Sequence, residues 1–311
     1  MVAGNRRHRS LRHPSVHQLR LLLVVAEELH FGRAASRMFI SQPALSQQIR
    51  ALEERLGVSL IERGGGVVRL TPAGRAVAEE SRAVINKLDR LLQVADSHAG
   101  AVTGKVRVGS LGAEAAMPHA SAVLAQLRDH HPHLEVEVRT LGFVQQFDFL
   151  VNGEVDAAFL RGPLPSGFQS CRLATESRVV CLAAADPLAC EETLTLAQLA
   201  DRMVVDMPRE VPRTWWDHLT VNPRPDGTRV RFGPLVRDTE AMVLAVLQRQ
   251  AITFLPASAR RLYPRPGLVY VDVPELGESV SFLAWLPANR DLPAVRALRA
   301  AAHSAQQKQE E

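Results

Sequence analysis

The sequence is short of cysteine and of long hydrophobic runs, and each shortage excludes a class of protein. Its three cysteines, Cys171, Cys181 and Cys190, fit neither an even disulfide framework nor the paired Cys-x2-Cys of a zinc site. We therefore expect buried or incidental thiols in a reducing compartment. The apolar run near the N-terminus, residues 21–26, is too short for a signal peptide or a membrane span, which predicts a cytoplasmic protein without membrane contact.

Charge is also scarce, and it is unevenly distributed. Only 23% of the 311 residues are charged and 46% are hydrophobic, which predicts folded domains, about two at this length. The formal net charge is +4, but the first 100 residues carry 15 basic against 9 acidic residues, which leaves 22 against 24 for the rest. A basic first third on a near-neutral body indicates that one end of the chain contacts a polyanion.

The basic region begins with the pattern of three short helices. Apolar residues at helical spacing predict helices over residues 16–27 and 31–38. A third helix is predicted from Ser41, as N-cap, through Pro43 in the first turn to Gly57. Two short helices in close succession, the second with a polar front, are typical of a helix-turn-helix that reads the major groove. A plain three-helix bundle with a solvated polar face is the alternative.

A hairpin and a long helix follow. Two strand-like runs, residues 58–63 and 67–71, flank three glycines and predict a wing whose Arg63 and Arg69 would contact phosphates. A helix over residues 72–98 then carries apolar or small residues at alternating steps of four and three, which is typical of a coiled-coil seam and predicts a dimer. The seam residues are Val77, Ser81, Val84, Leu88, Leu91 and Ala95. Packing of this helix on the chain's own C-terminal domain is the alternative.

The remaining residues predict an α/β domain with two lobes. Strands and helices alternate over residues 104–176, which indicates two βαβ units and a parallel sheet. A second α/β set follows over residues 177–263, and strands at 268–273 and 279–286 are expected to return to the first lobe, which would resume over residues 264–305. Two such lobes enclose a cleft.

Ligands of open α/β sheets bind at the carboxyl ends of strands, which predicts the lining of this cleft. The candidate residues are Leu111, Gly112, Ala113, Leu141, Gly142, Phe143, Arg161, Met207 and Arg209. Arg161 is the most informative, because a guanidinium at the end of an apolar strand suits a carboxylate ligand. A salt bridge from Arg161 to Glu154 or to a surface acid is the alternative.

Patterns that would indicate an enzyme or a metal site are incomplete. Residues 108–112 partly match the nucleophile elbow of serine hydrolases, but Val108 occupies a position that requires glycine. The same residues lack the third glycine of a dinucleotide-binding motif. His130, His131 and His133 have no Cys or carboxylate cluster at ligand spacing. No catalytic residue, metal site or cofactor is predicted.

One segment carries a specific family resemblance. Residues 31–63, FGRAASRMFISQPALSQQIRALEERLGVSLIER, with LTPAG at residues 70–74, closely resemble the DNA-binding domain of LysR-type transcriptional regulators. The resemblance implies a winged helix-turn-helix over residues 14–71, a dimerising linker helix and a C-terminal effector-binding domain, residues 104–305, similar to periplasmic binding proteins. It also implies a homodimer or homotetramer on double-stranded promoter DNA, a small effector, and RNA polymerase as a further partner.

The resemblance also assigns DNA contacts. Groove readers are implied at Ser41, Gln42, Pro43, Ser46, Gln47 and Arg50, and backbone contacts at Arg33 and Arg63. The segment ending at Arg161 resembles that of members which sense aromatic or dicarboxylic acids, which predicts an acidic effector. A constitutive DNA-bending or repressing factor with a non-sensing C-terminal domain is the alternative.

The chain departs from the family pattern at three places. The basic tail, residues 1–13, is longer than usual, and it is either an additional arm on DNA or the product of a start codon assigned too early. Ala113 and Phe143 occupy positions where hydroxyl residues are common, which predicts a more apolar pocket. Residues 249–251, Arg-Gln-Ala, replace the usual Gly-x-Gly before a strand.

Overall fold

The computed structural model describes residues 13–62, 68–97 and 104–310, and the chain divides into two compact units, Met1–Leu92 and Gln93–Glu311. Most of the predicted basic tail, the tip of the predicted wing with Arg63, and residues 98–103, which precede the predicted effector-binding domain, lie outside the described residues. No helix in the described ranges combines the length and the apolar character needed to cross a membrane.

Three helices form the core of the first unit: α1 (Val16–Glu28), α2 (Phe31–Arg37) and α3 (Gln42–Leu56). Local signals set their ends. The Ser41 hydroxyl accepts a hydrogen bond from the Ala44 amide at 3.3 Å, and α3 ends at Gly57, whose φ of 74° is left-handed. The predicted bounds of α3 are therefore confirmed. The apolar stripe of α3, Leu45, Ile49 and Leu52, is buried against α1 and α2.

Of the predicted hairpin, the structure describes the part of each strand that lies away from the turn. Strands β1 (Ile61–Glu62) and β2 (Arg69–Leu70) pair antiparallel. Helix α4 (Pro72–Ser97) begins directly after them, and the Thr71 hydroxyl accepts a hydrogen bond from the Gly74 amide at 2.8 Å. A Cβ at Gly74 would lie 2.0 Å from the Leu60 carbonyl oxygen, so only glycine allows this close approach.

The second unit alternates strands and helices. Its elements in chain order are β3 (Gly104–Leu111), α5 (Pro118–His130), β4 (Leu134–Leu141), α6 (Gln145–Val151), β5 (Ala157–Arg161), β6 (Gln169–Glu176), β7 (Arg178–Ala183), β8 (Met203–Asp206), α7 (Arg213–Thr220), β9 (Arg231–Leu235), α8 (Thr239–Leu247), β10 (Thr253–Pro256), α9 (Ala259–Leu262), β11 (Leu268–Asp272), β12 (Ser279–Trp285) and α10 (Pro293–Glu310).

The first lobe is built on a five-stranded sheet in the order β4-β3-β5-β12-β6. Strand β3 runs parallel to β4 and β5, as the predicted βαβ units require, and β12 runs antiparallel to β5 and β6. Helices α5 and α10 pack together over one face of the sheet and enclose an apolar core.

The second lobe contains a three-stranded antiparallel sheet, β10-β7-β11, and a parallel pair, β8-β9. The prediction that residues 268–273 return to the first lobe is wrong, because β11 pairs with β7 from Leu268 to Asp272. The chain returns only with β12, so the first lobe does not resume at residue 264. The apolar sequence of this strand is compatible with pairing in either sheet. Which sheet it joins depends on long-range contacts that a sequence pattern does not contain.

Candidate DNA-binding surface and effector cavity

The solvent-facing side of α3 carries the predicted groove readers. Ser41, Gln42, Pro43, Gln47 and Arg50 are exposed, and Ser46 is half-buried. They lie opposite the buried apolar stripe of α3, as helical spacing requires. Arg50 makes no hydrogen bond or ion pair with the described residues, so its guanidinium is available to a base edge or a phosphate.

The other predicted DNA contacts have different surroundings. Arg33 Nε lies 3.3 Å from a carboxylate oxygen of Glu28, and Arg33 Nη2 donates to the Glu28 backbone oxygen, so Arg33 is tied to the end of α1 although it remains exposed. Arg69 is exposed on β2. Arg63 lies outside the described residues.

The predicted seam of helix α4 is buried in its first part and exposed in its later part. Val77 packs against the core of the first unit, and Ser81 is buried with its hydroxyl donating to the Val77 backbone oxygen at 2.6 Å. Farther along, Val84 is exposed and Leu91 is 61% exposed. The first part of the seam therefore packs within its own unit, and the later part is an uncovered apolar face.

A cavity of about 80 Å³ lies between the two lobes of the second unit. Four predicted residues line it: Leu111, Ala113, Phe143 and Arg161. Ala113 also borders an adjoining open groove, which Gly112, Leu141 and Gly142 line as well. Met207 and Arg209 line neither: Met207 is buried in the apolar core of the second unit, and Arg209 points to the exterior.

Three hydrogen bonds join the lobes beside this cavity. The Phe143 amide donates to the Arg237 backbone oxygen at 2.9 Å, and the Ala113 amide donates to the Tyr263 hydroxyl oxygen at 3.2 Å. Trp215, from the second lobe, donates through Nε1 to the Arg161 backbone oxygen at 2.6 Å. Each bond uses at least one main-chain group.

Arg161 contacts three protein side chains, although its Nη2 is close to a carboxylate without a hydrogen-bond geometry. Its Nε bonds Glu114 Oε2, its Nη1 donates to the Ser279 hydroxyl at 3.1 Å, and its Nη2 lies 2.6 Å from Glu176 Oε1. Glu154 takes no part in these contacts. Glu176 also accepts from the Ser258 amide and hydroxyl, at 2.6 and 3.0 Å. The guanidinium predicted to be open to a ligand therefore lies in an ion-pair network that reaches both lobes.

Glu114 is the buried carboxylate at the centre of this network. Burial would raise its pKa, but hydrogen bonds from His119 and Ser281 and the charge of Arg161 together lower it below the ordinary value. Ser281 and Glu114 both approach the same ring nitrogen, Nε2 of His119, at 2.9 Å. In a Ser-His-acid triad the serine and the acid contact opposite ring nitrogens, so this cluster does not have triad geometry.

A second buried cation, Arg178, borders the cavity and was not predicted. Its side chain packs near the Phe254 ring, with 6.0 Å from Cζ to the ring centroid, and its Nη2 donates to the Leu219 backbone oxygen at 2.7 Å. Burial lowers the pKa of Arg178 to about 10, and burial together with the Arg178 charge lowers the pKa of His218 to about 4. At neutral pH Arg178 is charged and His218 is neutral. A charged residue opening the apolar run 178–183 was the signal that could have identified it.

Comparisons with known proteins agree with this geometry. Residues 16–75 match the family described as "Bacterial regulatory helix-turn-helix protein, lysR family", and residues 99–307 match "LysR substrate binding domain". The chain is 30% identical over 286 residues to the uncharacterized HTH-type transcriptional regulator YnfL of Escherichia coli K12, covering 90% of this chain and 95% of YnfL. It is 29% identical over 247 residues to the HTH-type transcriptional regulator AlsR of Bacillus subtilis 168, covering 79% of this chain and 81% of AlsR.

A solved structure has the same fold. The crystal structure of CbnR, a LysR family transcriptional regulator, aligns with a TM-score of 0.70 at 22% identity and covers 94% of this chain and 99% of CbnR. Two domain matches, which together include most of the chain, and a full-length relative thus agree with the motif in residues 31–74. The chain belongs to the LysR family and is a DNA-binding transcriptional regulator controlled by an effector.

Proposed function

We propose that the exposed face of α3 reads base edges of double-stranded promoter DNA. The observation that carries this proposal is the polar outer face of α3, in which Arg50 has no partner among the described residues. An arginine in this position bonds guanine or a phosphate. Arg33, Arg63 and Arg69 are proposed as backbone contacts, which set the register of the protein on the duplex.

The test is footprinting on the DNA immediately upstream of the protein's own gene, with excess competitor DNA and at two salt concentrations. Arg50→Ala is compared with Arg128→Ala, which removes one exposed charge of the same kind from the second unit. We expect a footprint that Arg50→Ala weakens and Arg128→Ala leaves unchanged. Equal loss in both variants would contradict the assignment to α3.

We further propose that the protein binds DNA as a homodimer or homotetramer through the later part of α4. The exposed apolar residues Val84, Leu91 and Leu92 support this proposal, because an uncovered apolar face of this kind favours a partner helix. Light scattering of Leu91→Glu tests it: the variant is expected to dissociate at concentrations where the unaltered chain is oligomeric. An unchanged mass would remove this face from the interface.

The effector is proposed to be a small organic acid that binds in the cavity between the lobes. Buried cations and apolar walls at the same cavity support this assignment, because an acid needs a charged anchor and its hydrocarbon body needs apolar contacts. Saturation at 100 times the dissociation constant would stabilise the folded chain by about 2.7 kcal/mol. Thermal unfolding with a panel of acids measures this, and a panel without effect would favour a non-sensing domain.

We propose no catalytic activity and a cytoplasmic location. The shared contact of Ser281 and Glu114 with one nitrogen of His119, and the complete burial of Ser281, support the first statement. The second follows from the proposed partner, because promoter DNA lies in the bacterial cytoplasm. Hydrolysis of a generic ester by the purified chain would contradict the first.

A further inference from the structure

The two guanidinium groups at the cavity differ in how well their charge is neutralised. Arg161 contacts two carboxylates, Glu114 and Glu176. Arg178 is only 5% exposed, makes one hydrogen bond to a backbone carbonyl, and has no carboxylate oxygen within 4.0 Å among the residues that the structure describes. A buried cation without an anion is costly, and an anion that entered the cavity would recover that cost.

A second buried arginine and a neutral histidine lie in the surroundings of Arg178, and the charge of Asp226 acts on the second arginine. This arginine, Arg224, places its Cζ 5.2 Å from the centroid of the same Phe254 ring, and its Nη1 has no hydrogen-bond partner among the described residues. The neutral ring of His218, which also borders the cavity, makes no hydrogen bond or ion pair with the described residues and can donate to an anion. Arg178 and His218 therefore offer an anion contacts that are separate from the ion pairs of Arg161.

The cavity dimensions and the remaining charges restrict the ligand. About 80 Å³ corresponds to roughly half a dozen water-sized positions, which admits a compact molecule. The lining is largely apolar, with Phe143, Trp215 and Met242 in it, and Phe254 lies beside Arg178. Glu114 also lines the cavity, and Glu114 and Glu176 already neutralise Arg161, so a second carboxylate on the ligand would meet the negative charge of Glu114 and be repelled.

We propose that Arg178 is the specificity-determining anchor of the effector site and that it selects a compact monocarboxylate with a branched or small-ring hydrocarbon body. This inference rests on the proposed function, which places an acid in the same cavity. Arg178 supplies a charged fork to the carboxylate, His218 supplies a neutral donor, and the apolar walls enclose the body.

The test measures binding by calorimetry on the full-length chain. The probes are isovalerate, its neutral counterpart isovaleramide, and the dicarboxylate glutarate. Isovalerate is expected to bind, and the other two to bind at least roughly tenfold more weakly, because isovaleramide lacks the charge and the second carboxylate of glutarate meets Glu114. If glutarate binds and isovalerate does not, the acid-sensing function stands and this inference fails. If no acid binds, both fail.

Variants of Arg178 and Arg161 show which of the two arginines binds the carboxylate. Arg178→Met is expected to weaken isovalerate binding by roughly 10- to 150-fold, the range for one lost hydrogen bond to a charged group. Arg209→Met, at an exposed position outside the cavity, is the matched control and should bind normally. Unchanged binding by Arg178→Met, with loss in Arg161→Met, would assign the anchor to Arg161 and overturn the inference.

Folding of the variant is monitored separately. Ligand-free Arg178→Met is expected to melt no lower than the unaltered chain, because it removes a buried charge that lacks an anionic partner. If it fails to fold, Arg178→Lys replaces it: the charge remains, the planar fork is lost, and weaker binding of isovalerate with normal folding is expected. Normal affinity in the folded lysine variant would overturn the role of the fork.

Discussion

Replacing the buried carboxylate Glu114 by glutamine should destabilise the second unit strongly. The Glu114→Gln side chain keeps its shape but loses the charge that faces Arg161, and one of the two oxygens that accept hydrogen bonds now becomes an NH2 group that can only donate. Breaking a buried ion pair by removing one partner costs about 3–5 kcal/mol. Because Glu176 still pairs with Arg161, we expect the lower end, about 3 kcal/mol.

The chain offers a control and a local probe for this measurement. Glu154, which the sequence suggested as a partner of Arg161, forms no ion pair among the described residues, and Glu154→Gln should change stability by less than about 0.5 kcal/mol. All three tryptophans, Trp215, Trp216 and Trp285, lie in the second unit, so fluorescence during urea unfolding reports on that unit within the full chain.

The dependence on pH gives an independent check. The pKa of Glu114 is lowered in the folded state, so its contribution is fully present above the ordinary value of 4.5 and is lost as the pH falls below it towards the lowered pKa. The difference between the unaltered chain and Glu114→Gln should therefore narrow on acidification. If Glu114→Gln unfolds at the same urea concentration as Glu154→Gln at pH 7, the network does not stabilise the unit and the reasoning fails.

Three further predictions concern the first unit. Arg50→Ala should cost about 1–3 kcal/mol of specific DNA affinity and relax one base position in a binding-site selection; a uniform loss with a shallower salt slope would identify a phosphate contact instead. Phe39 is 95% exposed at a left-handed φ of 55°, so Phe39→Asn should stabilise the unit by about 1 kcal/mol in chemical unfolding followed by circular dichroism. Gly74→Ala should lower the melting temperature, because its Cβ would collide with the Leu60 carbonyl oxygen, and an unchanged value would show that the start of α4 shifts freely.

The sequence predicted helix ends well because their signals are local. The N-cap at Ser41, the C-cap at Gly57 and the start of α4 at Pro72 each depend on groups within a few residues along the chain. The exposed outer face of α3 follows from helical spacing in the same way. The roles assigned to its side chains on DNA stay predictions.

The cavity was predicted only in outline. The rule for strand ends located Leu111, Phe143 and Arg161 at one cleft, but it did not give the direction of each side chain, and Met207 points into the core. Two partners of Arg161, Glu114 and Ser279, are 47 and 118 residues away along the chain, so no local pattern encodes them. Long-range pairing also decided the sheet to which β11 belongs.

One of the hydrogen bonds between the lobes beside the cavity has an evolutionary consequence. It runs from the Phe143 amide to the Arg237 carbonyl, and both atoms are present whatever side chains occupy these positions, proline at position 143 excepted. Substitutions that alter the lining can therefore accumulate without removing this link between the lobes. The chemistry of the lining can therefore change in small steps, because this attachment of the lobes uses main-chain atoms and the lining is made largely of side chains.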